Sequence, residues 1–308
     1  MTSASLNALN YLNVVAYVAN ALITFLAGFG EFGETNAYVS AKYQTIITPA
    51  GWAFSIWSLI FISELLFVLV QLAPGVRDSA LVQKGVGYGW IAASVFQCAW
   101  SLAFAREQLE LSTVFITLIF VSLGGVVRRC ASIDRSEASN IFADLICRLP
   151  LTIHFGWLAA ATMLNVNLVA VEHGSSAGGQ LACGIVSLAL VFALTVALAP
   201  KDFTGSAIPV GVACWALVAI GSNLDSPMDK DQCEAQTGGF DCNMISEIFD
   251  DTTIDGVQKS AYALSVVCGV TALLSILSGL TFRSTKSTAT TSASDSSSEV
   301  SAFQMPLI

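Results

Sequence analysis

The chain has 308 residues, of which 55% are hydrophobic and only 11% charged, against roughly 25% charged residues in ordinary soluble domains. That much apolar surface excludes a soluble globule and points to lipid. The formal net charge of −9 excludes the basic field that nucleic-acid binding needs, and the acidic side chains gather mainly in one segment.

Lipid offers backbone groups no hydrogen-bond partner, so a spanning element is a helix or part of a closed barrel. The apolar stretches here are long and unbroken instead of alternating, which predicts helices. Eight runs approach or reach the ~17–25 residues that cross the hydrocarbon. In order they are Tyr11 to Gly28, Ala50 to Leu72, Val86 to Ala105, Leu111 to Val127, Pro150 to Val171, Leu181 to Ala199, Ile208 to Ser222, and Val257 to Leu280. The first lacks a basic leader and a compact apolar segment ahead of a small-residue site, so it predicts a retained span. The expected fold is an all-α polytopic transmembrane helix bundle of about eight spans. Residues 1–10 form a short leading segment. After residue 280 the chain turns to serine and threonine, predicting an irregular polar tail over 281–308.

Lysine and arginine resist translocation, so their distribution orients the chain. One side collects Arg77, Lys84, Arg128, Arg129, Arg135, Arg148, Lys201, Arg283 and Lys286; the other holds Lys42, Arg106, Lys230 and Lys259. Both termini are therefore expected in the cytosol. The loop 223–256, with nine of the 22 acidic residues, is expected outside or in a lumen. Cys233 and Cys242 in that loop are candidates for a disulfide on an oxidising side, with free thiols in a mobile acidic loop as the alternative. No Cys/His spacing resembles a zinc site, and the loop lacks EF-hand spacing, so no metal is expected.

Three local patterns go beyond hydropathy. The segment TPAGWAFSIW, from Thr48 to Trp57, enters the second run and presents Trp52, Phe54 and Trp57. Phe54 and Trp57 are three apart and share a face, while Trp52 lies elsewhere around the helix and alone reads first as an interfacial aromatic-belt residue. In FQCAWSLAF, Gln97 and Ser101 flank Trp100, a polar pair suited to the inside of a bundle. In RLPLTIHFGWLAAATMLNVN, Pro150 is expected to open the fifth span. His154 and Trp157 share a face there, with Asn165 two turns beyond. Two readings of His154 stand, an interior hydrogen bond and a polar contact or axial ligand for a bound group.

Taken in order, these patterns resemble the tryptophan-rich sensory protein family, also called the translocator protein or TspO/MBR family. The residues that carry the resemblance are Pro49, Trp52, Phe54 and Trp57, then Gln97, Trp100 and Ser101, then Trp157, Ala161, Leu164 and Asn165. Ala50 stands where the family has a second proline, and His154 where it has a tyrosine. The resemblance covers residues 11–172 as a five-helix bundle, which leaves residues 173–280 as three additional transmembrane helices. It implies a membrane ligand-binding protein that senses or carries tetrapyrroles such as haem or protoporphyrin, or flat hydrophobic molecules such as sterols. On that reading Trp52, Phe54, Trp57, Gln97, Trp100, His154, Trp157 and Asn165 surround the ligand. The tetrapyrrole is then a ligand, no cofactor is required, and a homodimer is implied.

Glu64 lies well inside the second run, where a charge costs ~2.5–3.5 kcal/mol. It needs a polar interior, and it motivates the rival reading of a proton-coupled small-solute transporter. No nucleophile, base and orienting group occur together, and no phosphate-cradling glycine loop appears, so an enzyme is not expected.

Overall fold

A computed structural model of the chain describes residues 5–134, 141–198, 203–240 and 242–301. Arg135, Lys201 and Asp241 lie outside these residues. Among the described residues the fold is all-helical. The long helices are α1 (Ala8–Gly28), α3 (Ile56–Val70), α4 (Gly87–Ala105), α5 (Leu109–Ala131), α6 (Ile141–Glu172), α7 (Ala177–Leu198), α8 (Phe203–Asp225) and α11 (Asp251–Ser301). Short helices α2 (Asn36–Lys42), α9 (Lys230–Thr237) and α10 (Ile245–Ile248) lie in the connections.

The burial pattern is that of a bundle in lipid. On α1, Asn10, Asn13 and Asn20 are at most 1% exposed, while Val15, Leu22 and Phe25 are more than half exposed. The buried amides find partners on neighbouring helices: Asn10 Nδ2 donates to Gln71 Oε1 at 2.9 Å and Asn20 Nδ2 to Gln97 Oε1 at 3.2 Å. Thr24 and Ser101 share a 3.3 Å hydroxyl contact one turn further along. Polar groups turned inward and aliphatic groups turned outward suit hydrocarbon, where an unpaired amide costs several kcal/mol. The start of α1 is fixed locally, because the side chains and backbone amides of Asn7 and Asn10 bond reciprocally at 3.1 Å.

Among the described residues, seven helices are long and apolar enough to cross a membrane, where the sequence predicted about eight. The exception is α4. Its inward face carries Ser94, Gln97 and Ser101, all buried, and these polar groups dilute its apolarity. It nevertheless packs between α1 and α5, and contacts at the two ends of the bundle show that it runs the full height with the others. At one end Lys42 meets Glu107, His173 meets Glu110, and Asn243 bonds Lys42 and Gln44. At the other, Asn10 bonds Arg77, Arg129 bonds Gly85 and Arg148 bonds Ile133.

Two further expectations shift. Pro150 does not open the fifth span; α6 begins nine residues earlier, and Pro150 lies inside it. A proline interrupts one backbone hydrogen bond, and the surrounding packing carries the helix through, since Pro150 and its neighbour Leu151 are both buried. The backbone of α11 also continues helical to Ser301, past the start of the predicted tail at 281. That stretch contains neither proline nor glycine, and extending an established helix is far easier than starting one.

Helix α6 is the axis of the fold, touching α3, α5, α7 and α8. Gly156 sets its approach to α8. A Cβ there would lie 2.8 Å from Pro209 Cα and 3.0 Å from Pro209 O, so only a glycine lets the backbones pass this closely.

Candidate ligand cavity

The turn from Gly51 to Ser55 and the start of α3 deliver Phe54 and Trp57 toward α6. Trp57 becomes the hub of an aromatic cluster. Its ring stacks on Trp100 with centroids 6.1 Å apart at 25°, and meets Trp157 edge-on at 6.3 Å and His154 edge-on at 5.6 Å. Phe54 meets Trp157 edge-on at 5.9 Å, and Trp100 stacks on Phe104 at 5.1 Å. These offset and edge-to-face arrangements are those the ring quadrupoles favour.

Trp57, Trp100 and Trp157 line a narrow apolar cleft with about 40 Å³ of free space. The cleft adjoins, through Pro49, Phe54 and Trp57, a wider vestibule of about 360 Å³ lined by α2, by Asn223 and Met228 and by Gln236 near the end of α9. The N–H of Trp157 has no hydrogen-bond partner, although the residue is only 2% exposed. A buried, unsatisfied indole N–H on the wall of a cavity is a place for an acceptor.

Of the residues singled out in the sequence, Phe54, Trp57, Trp100, Trp157 and Asn165 line the cleft. Asn165 is committed to its neighbours: its Oδ1 accepts from Trp100 Nε1 at 3.3 Å and Ser112 Oγ at 3.0 Å, which fixes the Trp100 ring. Trp52, Gln97 and His154 line neither the cleft nor the vestibule. Trp52 is 43% exposed and meets Trp215 edge-on at 4.7 Å. Gln97 is taken by Asn20. His154 sits behind Trp57, where its Nδ1 lies 2.9 Å from Glu64 Oε1 and both residues are at most 2% exposed. Trp90 Nε1 donates to the same oxygen at 3.4 Å.

The cavity also draws on residues that local motifs do not announce. Helices α7 and α8 supply Leu188, Val191, Ala216 and Ile220 to the cleft wall. Helix α8 further clamps the motif segment, since Ala50 N–H donates to Ala219 O at 2.9 Å and Trp215 Nε1 to Ala53 O at 3.2 Å. Phe104 was within reach of sequence reasoning, one helical turn after Trp100 and on the same face.

Residues 226–240 and 242–250 fold over the vestibule as a cap. Met228 and Gln236 line it. Cys233 and Cys242 form a disulfide with Cα atoms 6.3 Å apart. Asn243 then ties the cap to the first loop, its backbone N–H donating to Lys42 O at 3.0 Å and its Nδ2 to Gln44 O at 2.6 Å. Lys42 itself pairs with Glu107 at 2.5 Å. Burial pulls the Lys42 ammonium pKa down, but the bonds to Glu107 and Tyr43 outweigh it and hold the net shift upward. At the same end Glu110, Glu172 and His173 bring donor atoms within 4.8 Å of one another, all three exposed.

Residues 10–231, well over half of the chain, match the TSPO-like protein family. The chain belongs to that family. The match runs through α7 and α8, so the TSPO-like region includes the helices that complete the cleft wall. No curated protein and no solved structure matches the chain. It is a TSPO-like, multi-pass integral membrane protein.

Proposed function

We propose that this protein binds a flat, largely apolar ligand in the Trp57–Trp100–Trp157 cleft, as a sensor or carrier of the TspO type. Tetrapyrroles and sterols are the ligand classes the resemblance implies. The observation that carries the reading is the unpartnered Trp157 N–H on an aromatic wall beneath a capped vestibule. Aromatic faces reward a planar apolar ligand, and the indole N–H orients it. The cleft as it stands is too tight for such a molecule, so binding must part the aromatic cluster. The vestibule supplies the adjoining space.

The test is a tryptophan-fluorescence titration of the purified full chain with protoporphyrin as free acid and as dimethyl ester, and with a sterol. At least one should quench saturably, and Trp157→Phe should weaken that ligand several-fold. Quenching by all three that never saturates, or that the variant leaves unchanged, would refute the proposal.

The charge asymmetry supports both termini in the cytosol, with the disulfide-bearing cap on the opposite, oxidising face. Protease protection in sealed vesicles tests this orientation, and a cap cleaved from the cytosolic side would reverse it. The proton-linked transport reading retains one specific support, the buried Glu64–His154 contact. If Glu64→Gln proteoliposomes take up solutes with unchanged pH dependence, that reading loses its basis.

A further inference from the structure

Among the described residues, the lining of the cleft and vestibule contains no aspartate, glutamate, lysine, arginine or histidine. The vestibule's polar groups are amides and hydroxyls, from Asn36, Ser40, Gln44, Thr48, Asn223 and Gln236. Lys42, beside the vestibule residues Ala41 and Gln44, is not among the lining residues. It is held by Glu107 and lies 5.1–5.7 Å from the centroids of the Tyr38, Tyr43 and Phe240 rings. The covering segment is acidic, with Asp229, Asp231, Glu234, Glu247 and Asp250 against Lys230. Lys230 stands 3.9 Å from Glu234.

Two buried polar atoms on the lining residues lack partners, and they are of opposite kind. Trp157 Nε1 in the cleft is a donor. Gln44 Oε1 in the vestibule is an acceptor, since its Nε2 already donates to Ala41 O at 3.3 Å. The two residues are 2% and 1% exposed. Together they call for a ligand with an acceptor at one place and a hydroxyl or N–H donor at another. A carboxylate beside Gln44 Oε1 meets only a carbonyl lone pair. An ionised group taken into such a space without a counter-charge is strongly disfavoured.

We propose that this cavity selects uncharged ligands, a flat apolar body with a neutral hydrogen-bonding head, and discriminates against dianionic tetrapyrroles. The proposal rests on the reading that the cleft binds flat apolar molecules, and it narrows that reading by charge.

Protoporphyrin free acid and its dimethyl ester share one ring and differ in ionisable carboxylates, so they isolate the charge effect. Both are titrated into the full chain in neutral-lipid nanodiscs, with tryptophan quenching as the readout and Trp157→Phe to assign the site. The ester is expected to bind at least about tenfold more tightly than the free acid. Ser40→Lys, which adds a cation where the two spaces join, is expected to shift the free-acid-to-ester affinity ratio about tenfold toward the free acid relative to Ser40→Gln, which adds bulk there without charge. Free acid that binds wild type as tightly as the ester, or more so, overturns the charge selection and leaves the cleft reading intact. If neither quenches saturably, while a sterol also fails, the cleft reading falls and the charge selection falls with it.

Discussion

Removing His154 alone should harm the fold more than removing His154 and Glu64 together. Glu64 Oε1 lies 2.9 Å from His154 Nδ1 and accepts a longer bond from Trp90 Nε1 at 3.4 Å, while Oε2 has no partner. In His154→Leu the carboxyl is left with the long bond alone, in a site 1% exposed. Leaving a desolvated carboxyl without its closest partner costs about 1–3 kcal/mol or more. The ring is also lost from beside Trp57, 5.6 Å away, which adds to the loss. Replacing both residues by leucine removes the carboxyl together with its partner and orphans only the Trp90 N–H, whose bond was already long, so the double change should cost less than the single one. The double-mutant cycle should therefore show a coupling of at least about 1 kcal/mol. The assay is equilibrium unfolding in mixed micelles, followed by far-UV circular dichroism for wild type, both single variants and the double variant. Effects that add to within about 0.5 kcal/mol would show that the two groups do not sense each other and would refute the pairing.

Other positions make sharper local demands. Gly156→Leu places a side chain against the Pro209 backbone, which cannot yield, and should destabilise the protein by about 1–3 kcal/mol while weakening ligand binding. Thermal melts with and without ligand measure both effects. Asn165→Leu strips the acceptor from Trp100 Nε1, while Ser112 Oγ keeps its bond to Leu109 O; the unsatisfied indole N–H should cost about 1–3 kcal/mol, and an unchanged melting temperature would contradict that role. Ala50→Pro deletes the N–H that bonds Ala219 O and should lower stability by about 1 kcal/mol, read in the same melts. Cys233→Ser opens a ten-residue disulfide loop, whose closure is worth roughly 2.5 kcal/mol on chain entropy. The cap should then be cut by protease faster than the bundle, and equal protection in wild type and variant would show that the disulfide does not hold it.

The spans were legible because hydrocarbon imposes a length and a composition that any apolar run must meet. Hydropathy alone is weakest for α4, where Ser94, Gln97 and Ser101 that serve the bundle interior also lower the apolar signal. Pro150 misled for a related reason. The proline rule is local, whereas the buried packing on α6 is tertiary. Glu64 and His154 each stood out as a polar group in an apolar run, yet 90 residues separate them, and spacing rules reach only one or two helical turns. The cleft divides in the same way: Trp57, Trp100 and Trp157 were visible in their motifs, whereas Ala216 and Ile220 are ordinary apolar residues until α8 is seen against α6.

The substitution at position 50 links that hidden part of the cavity to the visible motif. A proline there could not donate, yet Ala50 N–H bonds Ala219 O, and three residues on Ala53 O accepts from Trp215. Both partners lie on α8, beyond the five-span stretch the motifs suggest. Helix α8 therefore holds the segment that positions Phe54 and Trp57, and supplies cleft wall itself. The helices after residue 172 cannot be a separable appendage on this geometry. A chain cut after α6 would lose part of the cleft wall and the clamp on its aromatic motif together. Divergence from the Pro-Pro pattern is in that sense not a defect of the motif: the donor a second proline would lack is used here to fasten the motif segment to α8.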